Sequence, residues 1–264
     1  RRQRQMCIRD SVVFFRFIFP YVHYFRRNVS LNSNFVNLEL IQSMLYNTPK
    51  PQDTKEGLSD QDFSIYMEED GLIHAGSGLD QITWMDVRVG DWVATPRHGK
   101  PVEINALWYN ALCTMDMLQA KFGDNDDSYR QLASLVKASF NKRFWNENTG
   151  CLYDVVDEDD DTIRPNQIYA VSLPFTMLDK EREKAIVDTV MDKLYVGCGL
   201  RSLDPDHKDY HPIYIGSLSK RDHAYHQGTA WGFLLGGFIS AYVKVNGRTK
   251  ATALCADKLL DPVR

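Results

Sequence analysis

The stretch that decides the fold is "TWMDVRVGDWVATPRHGKPVEINALWYNAL", residues 83–112. Its first part crowds tryptophans and carboxylates together, and its second part begins an amphipathic helix just after Pro101, a residue favoured at helix starts. From Glu103 to Lys121 the apolar residues recur at helical spacing. The stretch therefore predicts a long helix whose entrance carries aromatic and acidic side chains.

Helical patterns recur along the rest of the chain. They predict helices over residues 12–46, 127–145, from about 165, over 179–195 and over 228–245. Asp70-Gly71 predicts the turn of a short β-hairpin. Short connections alternate with long ones that are rich in Asp, Arg, His, Tyr and Trp. Antiparallel helix pairs in a ring, with the long loops on one face, would give this pattern, so we expect an all-α fold.

The composition excludes several classes of partner. The 264 residues are 44% hydrophobic and 25% charged, and 31 basic residues face 35 acidic ones, for a net charge of -4. This balance offers no field for nucleic acid or an anionic membrane, so neither is expected as a partner. No G-x-G-x-x-G or phosphate loop is present, so no nucleotide cofactor is expected. No cofactor or metal is predicted, because the acidic run at 157–161 lacks calcium-loop spacing and suggests a solvated loop.

The cysteines and the first residues bear on the cellular compartment of the protein and on the bounds of its domain. The five cysteines are far apart and form no C-x-x-C pair, which favours free thiols in a reducing, cytoplasmic compartment. The apolar run near the beginning is interrupted by Arg16 and lacks a cleavage site, so a signal peptide is not favoured. The opening "RRQRQMCIRDS" resembles translated sequencing-adapter sequence. We therefore divide the chain into residues 1–11, expected to be non-native, and a domain over 12–264.

Four polar segments predict a site for a sugar: "TWMDVRVGDW", "PVEINALWYN", "LYDVVDEDDDTIRPNQ" and "DHAYHQGTAW". Sugar rings stack on aromatic side chains, and their hydroxyls bind carboxylates, amides and guanidinium groups. Cleavage of a glycoside needs one protonated and one ionised carboxyl group. Asp86 lies between Met85 and Val87, and apolar surroundings would raise its pKa as a general acid requires.

Structural roles remain open for the same residues. Trp84, Trp92 and Trp108 could be core residues, and Asp86 could be a helix cap or an ion-pair partner of Arg88. His226 could be a positioned hydrogen-bonding group, because no nucleophile motif accompanies it.

With these segments in hand, the sequence resembles the glucosidase domain of glycogen debranching enzymes, the amylo-alpha-1,6-glucosidase family. "TWMDVRVGDWVATPRHGKPVEINALWYNAL", "IRPNQIYAVSLP", "GLRSL" and "RDHAYHQGTAW" stand in the order that this family uses, within about residues 65–245. The resemblance implies an (α/α)6 toroid, incomplete at both ends here, that hydrolyses α-1,6-glucosidic branches of glycogen or limit dextrin.

The resemblance also implies roles for individual residues. Asp86 becomes the general acid of an inverting hydrolysis. Candidate residues for gripping the terminal glucose are Trp84, Trp92, Glu103, Asn105, Asp154, Arg164, Asn166, Gln167, His226, Gln227 and Trp231.

Two features depart from the family pattern. Gly232 and Phe233 replace the Pro-Trp that usually follows Trp231. The glutamate that serves the family as general base belongs to a Ser-Glu-Ile-Phe-like motif, and we expect it beyond residue 264. If a carboxylate of this chain serves instead, Glu103 and Asp154 are the candidates. Alternative readings are another toroid glucosidase such as a trehalase-like enzyme, a non-catalytic glucan-binding domain, and a helical interaction scaffold.

Overall fold

The computed structural model describes residues 65–122 and 126–264. The helices predicted over 12–46 and the adapter-like residues 1–11 lie outside this part. The described residues form these α-helices: α1 (Val102–Phe122), α2 (Ser128–Arg143), α3 (Tyr169–Ser172), α4 (Lys180–Thr189), α5 (Leu218–Tyr225), α6 (Leu235–Val245) and α7 (Lys250–Leu259). Single turns of 3-10 helix cover Pro165–Ile168, Gly232–Leu234 and Asp261–Val263, and a π-helical turn covers Val190–Leu194.

The strands are short and pair in antiparallel twos. They are β1 (Ile65–Met67), β2 (Ile73–Ala75), β3 (Arg88–Val89), β4 (Trp92–Val93), β5 (Lys100–Pro101), β6 (Trp145–Asn146), β7 (Cys151–Leu152), β8 (Val155–Val156), β9 (Leu200–Arg201) and β10 (Ala230–Trp231). The pairs are β1 with β2, β3 with β4, β5 with β8, β6 with β7, and β9 with β10. The predicted hairpin at Asp70-Gly71 is confirmed as β1 and β2.

Helix packing explains why the helices form where they do. In α2, Tyr129, Leu132, Val136 and Phe140 repeat at three- and four-residue spacing and are buried. This face packs on α1, which also contacts α3. Helix α6 packs on α3, α4 and α7, and its Phe238 is fully buried. The all-α class with long loops is confirmed, and the arrangement as an incomplete (α/α)6 toroid stays a prediction.

Several helix boundaries differ from the prediction. The segment predicted as a helix over 228–245 first forms strand β10 and a 3-10 turn, and the α-helix begins only at Leu235. Helix α5 was missed, although Ser217 Oγ accepts the Lys220 amide as an N-cap does. At the start of α2, Asp126 Oδ1 accepts the Ser128 amide at 2.8 Å.

Two further properties follow from the described residues. None of the helices there is long and apolar enough to cross a membrane. The cysteines at 113, 151, 198 and 255 are free thiols.

Candidate active site

Asp86 lies in the long connection between β2 and α1, directly before the hairpin of β3 and β4. Met85 and Val87 on either side of it are buried, and Asp86 itself is half-buried. This alternation anchors the segment through its apolar neighbours while Asp86 stays partly exposed. The apolar flanks expected from the sequence are therefore present.

Trp84 is held beside Asp86 by contacts from distant parts of the chain. Its Nε1 donates to Asn166 Oδ1 at 2.7 Å. Its ring meets the rings of His226 and Trp231 edge-on, with centroids 5.2 Å and 5.4 Å away. The ring of Phe233 lies 5.1 Å away in the same edge-on manner. Phe233, a departure from the family pattern, thus keeps an aromatic side chain next to Trp84.

Arg164 joins the segment around residue 165 to the segment around residue 226. Its Nη1 donates to the carbonyl oxygens of Ser202 at 3.0 Å and His226 at 2.9 Å, and its Nη2 donates to Gln227 Oε1 at 2.9 Å. Gln227 Nε2 in turn donates to the Ala94 carbonyl oxygen at 3.2 Å. Burial lowers the pKa of Arg164 below its usual value, and the Asp154 carboxylate opposes that change. Arg164 therefore shapes the backbone of the site as well as its side chains.

A buried ion-pair cluster lies behind these residues. Arg97 pairs through both terminal nitrogens with the Glu103 carboxylate, and its Nε donates to Asp154 Oδ2 at 2.5 Å. The three side chains are almost completely buried. Burial opposes the charge of Arg97, but Asp154 and Glu103 outweigh it and raise its pKa. Burial raises the pKa of Asp154, and the charges of Arg97 and Arg164 limit the rise. Arg97 was not predicted from the sequence, because Asp154 lies 57 positions away from it in the chain.

His226 is uncharged in this environment. Burial, reinforced by the charges of Arg164 and Arg97, lowers its pKa to about 3. Its Nδ1 is buried and has no hydrogen-bond partner among the described residues, and the same holds for Thr95 Oγ1. Because an unsatisfied buried polar atom costs about 1–3 kcal/mol, we expect a water molecule or a ligand hydroxyl at these atoms.

Three further predicted binding residues contact other parts of the chain. The Asn105 side chain bonds both backbone groups of Ile73, at 2.8 Å and 3.1 Å, and so fixes β2 to α1. Gln167 Oε1 accepts the Leu152 amide at 3.3 Å. Trp92 is 37% exposed and stacks on His223 at 4.2 Å. Sugar contact by these residues stays a prediction.

The acidic run at 157–161 is largely exposed, as expected for a solvated loop, but Asp157 is also ion-paired. Asp157 Oδ2 lies 2.7 Å from Lys100 Nζ, and its other oxygen pairs with Arg143. Glu68, His74 and Asp157 stand close enough to hold a metal ion. However, Lys100 Nζ also lies 2.8 Å from Glu68 Oε2, so a protein cation already neutralises these carboxylates. The side chains give no reason to assign a metal there.

Trp108, for which a core role was open, is part of the packing. Its ring packs against the hydrophobic core and its Nε1 donates to the Gly71 carbonyl oxygen at 3.1 Å. It therefore serves the fold and supports the β1–β2 turn.

Comparison with known proteins finds similar sequences and similar folds. It is 28% identical over 236 residues to the glycogen debranching enzyme of Saccharomyces cerevisiae, a match that covers 70% of this chain and 15% of the yeast enzyme. The chain thus spans a small part of the length of that relative. Among solved structures it is similar to a GH63 mannosylglycerate hydrolase from Thermus thermophilus, with 14% identity and a TM-score of 0.45 over 61% of this chain and 35% of the hydrolase. It is also similar to the neutral trehalase Nth1 of Saccharomyces cerevisiae, with 11% identity and a TM-score of 0.36 over 62% of this chain and 40% of the trehalase.

The family assignment rests on a match over nearly the whole sequence. The profile of the amylo-alpha-1,6-glucosidase family matches residues 4–263. The chain belongs to the amylo-alpha-1,6-glucosidase family.

Proposed function

We propose that this chain is the glucose-binding part of a glycoside hydrolase that removes α-1,6-linked branch residues from glycogen-like α-glucans. The observation that carries the proposal is the aromatic and polar surround of Trp84, two residues before Asp86. Trp84 stands next to Asp86, is held by Asn166, and meets Trp231 edge-on. Aromatic rings, an amide and a carboxylate are the groups that an apolar sugar face and its hydroxyls require.

Asp86 is the proposed general acid of an inverting hydrolysis. It would protonate the leaving oxygen while a second carboxylate activates water from the opposite side of the sugar, with the two carboxyl groups about 6.5–9.5 Å apart. Asp86 is half-buried between the buried Met85 and Val87.

Neither Glu103 nor Asp154 is suited to be the second carboxylate. Both are buried, and Arg97 occupies oxygens of each. A general base must reach a water molecule and accept its proton, which these engaged groups are poorly placed to do. We therefore assign no general base within the described residues.

Arg164, Asn166, His226, Gln227 and Trp231 are the proposed glucose-gripping residues. The neutral His226 can accept or donate a hydrogen bond to a hydroxyl without the cost of burying a charge. The buried Nδ1 without a partner supports a hydroxyl or water at that position. The free thiols agree with the reducing, cytoplasmic location that we propose, and we propose no cofactor.

A non-catalytic glucan-binding domain is the second candidate. The engagement of Glu103 and Asp154 by Arg97 favours it, because binding needs no general base. A trehalase-like enzyme is the third candidate, and the test must distinguish it from the other two.

The test combines binding and hydrolysis by the 264-residue chain. Titration with glucose, maltotriose and trehalose, read by tryptophan fluorescence, measures binding, and glucose release is assayed with branched limit dextrin and with trehalose. Release from limit dextrin supports the proposed reaction and would show that a carboxylate of this chain serves as the base, and release from trehalose alone would overturn it. Binding of α-glucan without release is the result expected when no base is present among the described residues, and the binding domain gives the same result. The absence of both binding and release would contradict all three candidates.

A further inference from the structure

A continuous chain of hydrogen bonds connects the buried charges to the segment of Asp86. Arg97 Nε donates to Asp154 Oδ2 at 2.5 Å, and Asn166 Nδ2 donates to the other oxygen, Asp154 Oδ1, at 2.8 Å. The opposite end of the same amide, Asn166 Oδ1, accepts from Trp84 Nε1 at 2.7 Å. Each group in this chain therefore has its orientation set by the group before it.

The direction of the Asn166 amide is the decisive element. An amide can present either its oxygen or its nitrogen to a neighbour, and the two choices differ by a rotation of the side chain. The Asp154 carboxylate accepts only, so it must face the nitrogen, and the oxygen is left to face the indole of Trp84. If Asp154 lost its acceptor oxygen, the Asn166 nitrogen would keep only a weak 3.8 Å contact with the Met85 sulfur, which would hold the amide less firmly.

Arg97 fixes Asp154 in turn. The Asp154 carboxylate is 1% exposed, so it stays ionised and in place only if cations and donors satisfy it. Arg97 supplies both a charge-assisted bond to the carboxylate and a 3.3 Å bond from Nη2 to the Asp154 carbonyl oxygen. Glu103, at the first turn of α1, anchors the other side of the guanidinium group.

We propose that Arg97 is a positioning residue of the site, which acts through Asp154 and Asn166 to hold Trp84 and thereby the adjoining Asp86 segment. Under this proposal Asp154 positions Asn166 and is not a proton acceptor in the reaction. The relevance to catalysis rests on the proposed function, whereas the control of Trp84 does not.

The test follows the indole N–H of Trp84 by ¹H–¹⁵N NMR of the full chain, with the resonance identified by its loss in Trp84→Phe. In Arg97→Met and in Asp154→Leu we expect the Trp84 resonance to shift and its hydrogen exchange to accelerate about tenfold or more, because Asp154 no longer holds the Asn166 amide in place. The indoles of Trp108 and Trp145 should keep their resonances.

Lys100→Met is the matched control. Lys100 is a nearly buried cation of β5, only a few residues from Arg97, and its ion pairs run to Glu68 and Asp157 instead of Asn166. It should lower stability without moving the Trp84 resonance. A Trp84 resonance that moves equally in Lys100→Met, or that is unchanged in Arg97→Met, would overturn the proposal.

A second variant covers the case in which Arg97→Met does not fold. The double variant Arg97→Met, Glu103→Gln removes one charge of each sign and leaves Arg164 to balance Asp154, so no unpaired buried charge remains. It should show the same shift of the Trp84 resonance, and an unchanged resonance would count against the proposal.

A measurement of sugar binding distinguishes a failure of this inference from a failure of the proposed function. If wild-type chain binds maltotriose, Arg97→Met should weaken that binding at least about tenfold, and Lys100→Met should not, since only Arg97 connects to Trp84. Displacement of the Trp84 resonance in a protein that binds no α-glucan would support the positioning role and contradict the proposed function.

Discussion

Trp84 and Asn166, 82 positions apart in the sequence, are joined by a 2.7 Å hydrogen bond from the indole nitrogen to the amide oxygen. The bond ties the segment that carries Asp86 to the 3-10 turn Pro165–Ile168. The site therefore exists only when both segments are in their folded positions, and its integrity reports on the packing beneath it.

Asp86→Asn should lower the turnover number for glucose release at least about 10²-fold, the usual share of a general acid. The substitution applies to a form of the protein that releases glucose from limit dextrin, and kcat is the quantity to measure. Asp91→Asn, in the exposed turn between β3 and β4, is the matched control and should leave kcat unchanged. Equal rates for Asp86→Asn and the wild type would remove Asp86 from the acid role.

Arg164→Lys should reduce the free energy of unfolding by about 2–4 kcal/mol, because a lysine cannot reach the three separate acceptors of the guanidinium group. Those acceptors are on Ser202, His226 and Gln227. Urea unfolding followed by circular dichroism gives the value. Arg182→Lys, at a half-exposed ion pair, should cost less than about 1 kcal/mol, and a similar loss in both variants would show that the network around Arg164 adds nothing.

His226→Phe should remove part of the acid sensitivity of the fold. The pKa of His226 is lowered to about 3, so the folded state resists protonation that the unfolded chain accepts below pH 6.5. Stability is therefore unaffected above about pH 6.5 and falls by about 1.4 kcal/mol per pH unit from this residue as the pH drops toward 3. The difference in unfolding free energy between wild type and variant should change in that window, and an unchanged difference across it would show that His226 titrates normally.

Phe238→Ala should cost about 3–5 kcal/mol, because the ring is fully buried and stacks near Tyr195. Leu254→Ala on α7 should cost less than about 0.5 kcal/mol, since its side chain is 65% exposed. Thermal or urea unfolding compares the two variants directly. A large loss for Leu254→Ala would mean that its surface is covered in solution.

The long helices and the residues around Trp84 could be predicted from the sequence for a physical reason. Helix α1 is rich in apolar residues along its length, α2 has apolar residues at helical spacing, and the contacts of Trp84 come from motifs that were recognisable one by one. Helix α5 was missed because it has few apolar residues, Leu218 and Ala224 among them, so only the cap at Ser217 marked it. Periodicity cannot detect a helix held mainly by its capping and its loops.

Arg97 could not be predicted because its partners are brought together only by the fold. Glu103 is near in sequence, but Asp154 is 57 positions away. Likewise, nothing in the acidic run indicated that Asp157 would meet Lys100 and Arg143. Long-range ion pairs depend on chain topology, which a pattern of single residues does not contain.

The buried charges behind Trp84 have a consequence for how salt should act. Arg97 and Arg164 carry two positive charges, Glu103 and Asp154 carry two negative ones, and all four side chains are at most 5% exposed. The four charges sum to zero, so the electric field of the cluster falls off rapidly with distance. Dissolved ions therefore have little of this field to screen. Affinity for an uncharged sugar should thus be the same in dilute buffer and in concentrated sodium chloride. The two arginines are already neutralised by the two carboxylates, so they should not attract the phosphate of a phosphorylated sugar.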